Sequence, residues 1–297
     1  MASADAVAAV RKPASLLEVL RHSAKYLARA RVPAPRLEAE LLLAKRLGFG
    51  RLDLYLQFER LLTESELEPL RQQLRERARG RPLAQLLGEK EFFGMAFSVS
   101  GAVLIPRPET ELLVERAIAL SQAAPAQVRV AELGTGSGCV AIALAARVPQ
   151  TRITAWELSP EAVAAARANV GRHSLESQVE VLEGDWSQDL GQSGSFSLIV
   201  SNPPYVTTGD WRQLEPSVRD YEPRLALDGG EDGLGAYRTL VPAAARLAAP
   251  GARVLLECDP MRIESVSRLC LATWPGARTS SHPDLSGRPR VLELELA

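Results

Sequence analysis

Cysteine, histidine and methionine are scarce in this chain, with three of each in 297 residues. Cys139, Cys258 and Cys270 stand apart among apolar neighbours. That excludes a disulfide framework and suits a reduced core. His22, His173 and His282 share no ligand spacing, so no metal site is expected, and they read as surface or packing residues. Excess charge of either sign is also missing: 35 basic residues face 36 acidic ones, for a net charge of −1. A uniformly basic coat for nucleic acid is thereby excluded. No apolar run reaches the roughly 18 residues of a membrane span. The opening stretch MASADAVAAVRKPAS carries Asp5 and lacks an uninterrupted apolar core, so it makes a poor signal or transit peptide. The expectation is a cytoplasmic protein with no membrane partner.

What is present describes a globular chain: 46% hydrophobic and 24% charged residues, with a length that suits about two domains. Charge is unevenly spread. Residues 1–88 hold 16 basic and 10 acidic side chains, the remainder 19 and 26. Different partners for the two halves would explain this, and so would a solvated, Arg-rich helical surface. Residues 14–88 read as helices. Ser15 caps a stripe of Leu16, Leu17, Leu20 and Leu27. Pro35 opens a second helix that Gly48 can close. Thr63 and Glu66 form a capping box before a third, and Pro69 either kinks that helix or shifts its start. Helices this short bury their stripes only against one another, so 1–88 is expected to be a small bundle. Residues 89–106 read as a linking β-hairpin that turns near Gly94 and runs into a proline-stiffened loop, followed by a third region, 107–297.

In that third region strands and helices alternate. VRVAEL, RITAWEL, VEVLEG, FSLIVSN and ARVLLEC are strands, and helical patterns separate most of them. ARTSSH and RPRVLELELA close the chain with no helix between them, which suggests an antiparallel edge hairpin. Runs such as SLIVS are apolar on both faces, as in a buried parallel sheet. The order implies an α/β, doubly wound, mostly parallel sheet that binds ligands at the carboxyl ends of its strands.

Two loops at such ends carry chemistry. The first strand runs through Glu132 into Gly134-Thr135-Gly136-Ser137-Gly138, where glycines permit a tight turn and a close ligand approach. A spaced glycine triplet alone is a weak signal. Glu157, ending the second strand, can accept both ribose hydroxyls of a nucleoside. Asp185 and Trp186 follow the third strand, where an acid and a flat ring can flank adenine; for Trp186 ordinary core packing is the competing reading. After the fourth strand come Asn202, Pro203, Pro204 and Tyr205. Two prolines stiffen this loop and leave it carbonyls without matching donors. Asn202 Oδ1 and the Pro203 carbonyl can accept both hydrogens of a planar NH₂ group, with Tyr205 as an aromatic wall.

The G-x-G-x-G loop resembles that of class I methyltransferases that use S-adenosylmethionine (AdoMet). The Asn-Pro-Pro-Tyr loop resembles that of amino-methyltransferases acting on planar nitrogens. Further stretches narrow the likeness: Leu87–Gly94, Ile105-Pro-Arg107-Pro-Glu109-Thr-Glu111, Glu222–Tyr237 and Asp284–Arg290. Together they resemble the HemK/PrmC family of N5-glutamine methyltransferases acting on peptide chain release factors, over nearly the whole chain. The resemblance implies a seven-stranded class I methyltransferase sheet. AdoMet contacts fall at Glu132, Gly134 through Gly138, Glu157, Asp185, Trp186 and Asn202. Substrate contacts fall at Asn202 through Tyr205, with Arg107 and Glu109 shaping the loop over the site, and the catalytic residues are Asn202, Pro203 and Tyr205. The basic N-terminal region would grip the release factor. Three departures stand out: Glu157 where Asp is usual, Met261 in place of a family Gln, and Phe93 where Trp is common. Glutamine methylation of a ribosomal protein remains a rival, and adenine-N6 methylation of DNA or RNA a more distant one, since a base must be extruded into a basic cleft.

Overall fold

The computed structural model describes residues 14–124 and 127–297; the reading of the N-terminal stretch falls largely on residues 1–13, outside the described residues. The chain divides into two compact units, Met1–Leu87 and Gly88–Ala297.

The first unit contains α1 (Leu16–Arg29), α2 (Pro35–Leu47), α3 (Glu64–Ala78) and the short α4 (Leu83–Leu87). A two-residue ladder, β1 (Ala14–Ser15) with β2 (Leu61–Leu62), ties the segment before α1 to the segment before α3. Ser15 and Glu18 form a reciprocal capping box on α1, and Thr63 and Glu66 form one on α3. Each satisfies backbone donors that a helix start leaves open. Pro69 lies inside α3 without ending it. It has no N–H for the Ser65 carbonyl, and the Arg46 guanidinium donates to that carbonyl instead at 3.1 Å. Leu16, Leu20, Leu27, Leu42, Leu43, Leu54 and Leu70 form the buried core.

The second unit opens with a hairpin, β3 (Glu89–Phe92) and β4 (Met95–Ser98), which reverses at Phe93–Gly94 with both residues at positive φ. Phe92 and Phe97 pack into the unit's core. A single 3₁₀ turn, Pro108–Thr110, then leads into α5 (Glu111–Ala123). After it come β5 (Val128–Leu133), α6 (Cys139–Arg147), β6 (Thr151–Glu157), α7 (Pro160–Arg172), β7 (Val179–Glu183) and β8 (Phe196–Ser201). Two one-turn helices, α8 (Thr208–Trp211) and α9 (Pro216–Arg219), precede α10 (Gly235–Leu247), β9 (Ala248–Glu257), α11 (Ile263–Thr273), β10 (Arg278–Pro283) and β11 (Pro289–Glu295).

Seven strands form one sheet in the order β10-β11-β9-β8-β5-β6-β7. All neighbours are parallel except β11, which runs antiparallel to both β10 and β9. The two closing strands therefore do form an antiparallel edge hairpin. Helices cover both faces, which explains why the central strands are apolar throughout. On β8, Leu198 and Val200 face the core under α5, α6 and α7, while Phe196 and Ile199 face the core under α10 and α11. Complete burial of such side chains contributes about 1.5–3 kcal/mol each.

The strand order places the site. From β5 the chain winds outward through β6 and β7, then returns so that β8 lies on the other side of β5. The helices after β5 and β8 consequently leave in opposite directions, and a crevice opens at the carboxyl ends of these two strands. Glu132 lies level with Val200 across the pair. The glycine loop and the Asn-Pro-Pro-Tyr loop become neighbours although about 65 residues separate them in sequence. Among the described residues no helix is long and apolar enough to cross a membrane.

Candidate active site

A cavity of about 480 Å³ fills the crevice. It falls within the ~300–1,000 Å³ range of small-molecule sites. Glu132, Gly134 through Ser137, Glu157, Asp185, Trp186, Asn202, Pro204 and Arg107 all line it. Gly138 sits just behind, where it is the residue before α6.

Gly136 has φ +56, and a Cβ built there would enter open space. The backbone at this position is bare toward the cavity, as a ligand lying on the loop requires. Glu132 is 3% exposed. Its Oε2 accepts from the Thr135 hydroxyl at 2.7 Å and from the Ala141 N–H at 3.1 Å. Burial nevertheless pushes its carboxyl up to about 8, with the nearby Glu157 charge adding to the effect. A cationic group is what this buried acid lacks. AdoMet carries one on its methionine end, so the donor set fits that cofactor.

Glu157 is more occupied than the sequence suggested. Its Oε2 accepts from the Gly136 N–H at 2.9 Å, and its Oε1 accepts from Leu158 and Ser159 N–H at 2.8 and 3.0 Å. A carboxylate offers about four lone-pair sites, so these bonds leave room on Oε2 for one further donor. The longer arm of Glu is what reaches back to the glycine loop. The Trp186 ring stands at the cavity wall over Gly134, and its Nε1 donates to Thr239 Oγ1 at 3.0 Å. Asp185 Oδ1 accepts from the Ser187 N–H, which fixes the turn after β7.

At the other wall, Asn202 Nδ2 donates to Thr110 Oγ1 at 3.2 Å. That bond sets the orientation of the amide and leaves Oδ1 uncommitted. The Pro203 carbonyl also accepts no hydrogen bond among the described residues. A second, smaller recess of about 60 Å³ lies along this loop, lined by Leu104, Arg107, Asn202 through Val206, Ala226 and Leu227. Asn202, Pro204 and Arg107 thus border both spaces. The Tyr205 ring lines the recess, while its hydroxyl turns into the core and donates to Glu257 Oε1 at 3.2 Å. Burial and the Glu257 charge raise the phenol well above its ordinary value, so it stays neutral.

The loop is held from behind. Val206 forms a parallel bridge with Asp228, and the Gly229 N–H donates to Val206 O at 2.7 Å. A Cβ at Gly229 would lie 2.7 Å from the Pro204 carbonyl oxygen and 2.9 Å from Tyr205 Cα, so only glycine permits this approach. Arg107 pairs with buried Glu222, which also accepts the Ile105 N–H at 2.9 Å. The two segments beside the cavity mouth are thereby strapped together. Glu109 is exposed and lines neither space. Met261 is 91% exposed, and Phe93 lies in the hairpin turn; both are outside the cavity.

Sequence reasoning did not single out Thr110 or Glu257. Glu257 ends β9 and is 1% exposed. Its signal was available, since it ends a strand as Glu157 ends β6. No group of His, Cys, Asp and Glu that could hold a metal ion occurs among the described residues.

A seven-stranded sheet with a nucleoside-sized cavity at its switch point, and a buried acid facing a bare glycine loop, defines a class I AdoMet-dependent methyltransferase. Residues 18–88 match the PrmC N-terminal domain family, and residues 108–215 match the methyltransferase small domain family. The chain is 43% identical over 252 residues to the release factor glutamine methyltransferase of Geobacter sulfurreducens, covering 85% of this chain and 87% of that one. It is 37% identical over 280 residues to the protein of the same name from Bradyrhizobium diazoefficiens, covering 94% of each. The crystal structure of a release factor-specific protein-(glutamine-N5) methyltransferase from Alicyclobacillus acidocaldarius shares 31% identity, 67% coverage of this chain, 98% of that chain, and a TM-score of 0.40. The chain belongs to the release factor glutamine methyltransferase family.

Proposed function

We propose that this chain methylates the N5 amide nitrogen of the glutamine in the Gly-Gly-Gln motif of peptide chain release factors. One observation carries the chemistry: Asn202 gives its Nδ2 to Thr110 and keeps Oδ1 free beside the free Pro203 carbonyl, at the border between the large cavity and the small recess. Two acceptors at a stiff turn suit the two hydrogens of one planar NH₂ group. The narrow recess favours a slender carboxamide side chain over a flipped base.

AdoMet, when bound, supplies a methyl group activated by its sulfonium. Glu132, the loop from Gly134 to Gly138, Glu157, Asp185 and Trp186 would hold it. The protein's own task is orientation. Asn202 and Pro203 fix the substrate nitrogen with its lone-pair face toward the large cavity, which removes rotational freedom before reaction. The same acceptors favour the positive charge that grows on the nitrogen. An amide nitrogen is too weak an acid for a side-chain base to deprotonate beforehand. The neutral Tyr205 phenol is a wall and an anchor, and the amide proton leaves during or after transfer.

The Arg-rich N-terminal unit grips the release factor, and its charge excess supports this role. The protein acts in the cytoplasm, with neither membrane nor nucleic acid as a partner. Incubation with methyl-labelled AdoMet and, separately, release factor, ribosomal protein and an oligonucleotide tests the reading. Mass spectrometry should place the label on the release factor glutamine; label on either other substrate overturns it. Removal of residues 1–87 should raise KM for the intact release factor far more than for a short Gly-Gly-Gln peptide.

A further inference from the structure

We infer that Glu257 is a positioning residue for the catalytic loop: its carboxylate, through Thr110 and Tyr205, holds the Asn202 amide with Oδ1 turned to the substrate. The inference rests on the reaction proposed above and gives it a residue that no motif identifies.

The fold brings Glu257 to this place. Ser201 of β8 is level with Leu256 of β9 in parallel register, so Glu257 comes level with Asn202 one step further. The main chain of Glu257 is anchored by the Tyr237 hydroxyl, which donates to its carbonyl at 2.7 Å. Its carboxylate is left for the loop. Oε1 accepts from Tyr205, the last residue of the quartet. The Thr110 hydroxyl acts on the same carboxyl and favours its charged form, while Oε2 is buried with no hydrogen bond of standard geometry. Thr110 in turn accepts from Asn202, the first residue of the quartet. One buried acid thus bears on both ends of a four-residue loop.

Hydrogen counting makes the coupling directional. Thr110 has a single hydroxyl hydrogen and two lone pairs. When that hydrogen points at an ionised Glu257, Oγ1 is an acceptor and takes the Asn202 Nδ2–H. A protonated Glu257 can itself donate to Thr110. The Thr110 hydrogen then swings toward Asn202 and favours the flipped amide, with Oδ1 turned inward. The charged form therefore supports the geometry that receives a substrate NH₂.

The groups facing the carboxyl are Tyr205 after β8, Thr110 and Glu109 from the 3₁₀ turn, Tyr237 from α10, Cys139 from α6, Arg290 from β11 and Cys258 beside it. Arg290 is the cation among them, and its Nε is also buried without a partner. Burial raises the carboxyl to about 7, against the nearby Thr110 hydroxyl, the Tyr205 hydrogen bond and the Arg290 charge. Its ionisation is consequently divided near neutral pH.

The full-length chain labelled with ¹⁵N tests this without catalysis. The Asn202 side-chain NH₂ pair, identified by its disappearance in Asn202→Ala, should titrate near neutral pH in the wild type. It should not titrate in Glu257→Gln or in Thr110→Val. In methyl transfer to the release factor, Glu257→Gln should lose about 10- to 100-fold in turnover with KM nearly unchanged, and should lose the acid limb of the pH profile. Thr110→Ser should recover most of what Thr110→Val loses. An Asn202 pair that titrates identically in Glu257→Gln overturns the inference, as does a turnover within about threefold of wild type with the same acid limb. If Glu257→Gln does not fold, the Thr110 pair of variants decides alone. A wild type that leaves the release factor unmethylated overturns the proposed substrate, while the NMR titration still judges Glu257.

Discussion

Ser201 donates its hydroxyl to the Leu133 carbonyl at 2.6 Å, and both groups are buried. This bond joins the carboxyl ends of β8 and β5, one residue before the Asn-Pro-Pro-Tyr loop and one before the glycine loop. The two halves of the site are set against each other by side chain as well as by sheet register. The spacing between the face proposed to hold the cofactor and the acceptors proposed for the substrate nitrogen is therefore a property of the core, not of mobile surface loops. Transfer between two bound groups depends on that spacing.

Asn202→Ala removes one of two acceptors and the bond to Thr110 together. Turnover should fall on the order of 10²–10³-fold, as for loss of one preorganised polar contact. The fold should be retained, since Asn202 lies after the end of β8 and outside both cores. Steady-state kinetics on the release factor measure the effect, and a loss under about threefold would contradict the role.

The strand ends that line the cavity were legible because each motif sits where a parallel sheet must expose it. Glu132, Glu157, Asp185 and Asn202 all line one cavity. The edge hairpin was legible from two strands in succession. The helix α5 was not singled out, although Leu113, Val114 and Ala117 give it a buried face. Its first turn follows a proline-rich loop, and Thr110, before it, makes no side-chain cap bond; its hydroxyl serves Asn202 instead. Glu257 was hidden for a different reason. Its partners come from four segments, and only the register of β9 against β8 brings them together. Tyr205 was legible as an aromatic, but the direction of its hydroxyl depends on that same buried acid.

Arg107→Ala should loosen the strap over the site. Glu222 would keep only the Ile105 N–H in a buried setting, its side chain being 1% exposed. Arg107 is itself a third exposed, so solvent already weakens the pair. The expected loss is about 1–2 kcal/mol, below the 3–5 kcal/mol of a fully buried pair. Thermal unfolding should show it. KM for the release factor should rise more than the AdoMet dissociation constant does, because Arg107 borders the recess as well as the cavity.

Gly229→Ala places a Cβ against the backbone of Pro204 and Tyr205. Backbone cannot step aside as a flexible side chain can, so the Asn-Pro-Pro-Tyr loop must shift. Overpacking of this kind costs about 1–3 kcal/mol. A displacement near 1 Å of positioned groups can cost about 10²-fold in rate. Glu231→Ala, exposed in the same segment, is the control and should change neither stability nor turnover.

Glu132 should make cofactor binding depend on pH. In the free protein its carboxyl is raised to about 8 from 4.5, so between those values the folded state holds a proton that the unfolded state releases. By linkage this contribution to stability falls as pH rises across that window. A cationic ligand group beside Glu132 needs the charged form, so binding below about pH 8 must expel the proton. Affinity for AdoMet should therefore tighten as pH rises toward that value, by at most about tenfold per unit for one linked proton. Isothermal titration calorimetry near neutral pH in buffers of different ionisation enthalpy should detect proton release. Glu132→Gln keeps the shape, loses the charge, and should bind more weakly with no release. Equal proton release in both proteins would mean that Glu132 is already ionised before the cofactor arrives.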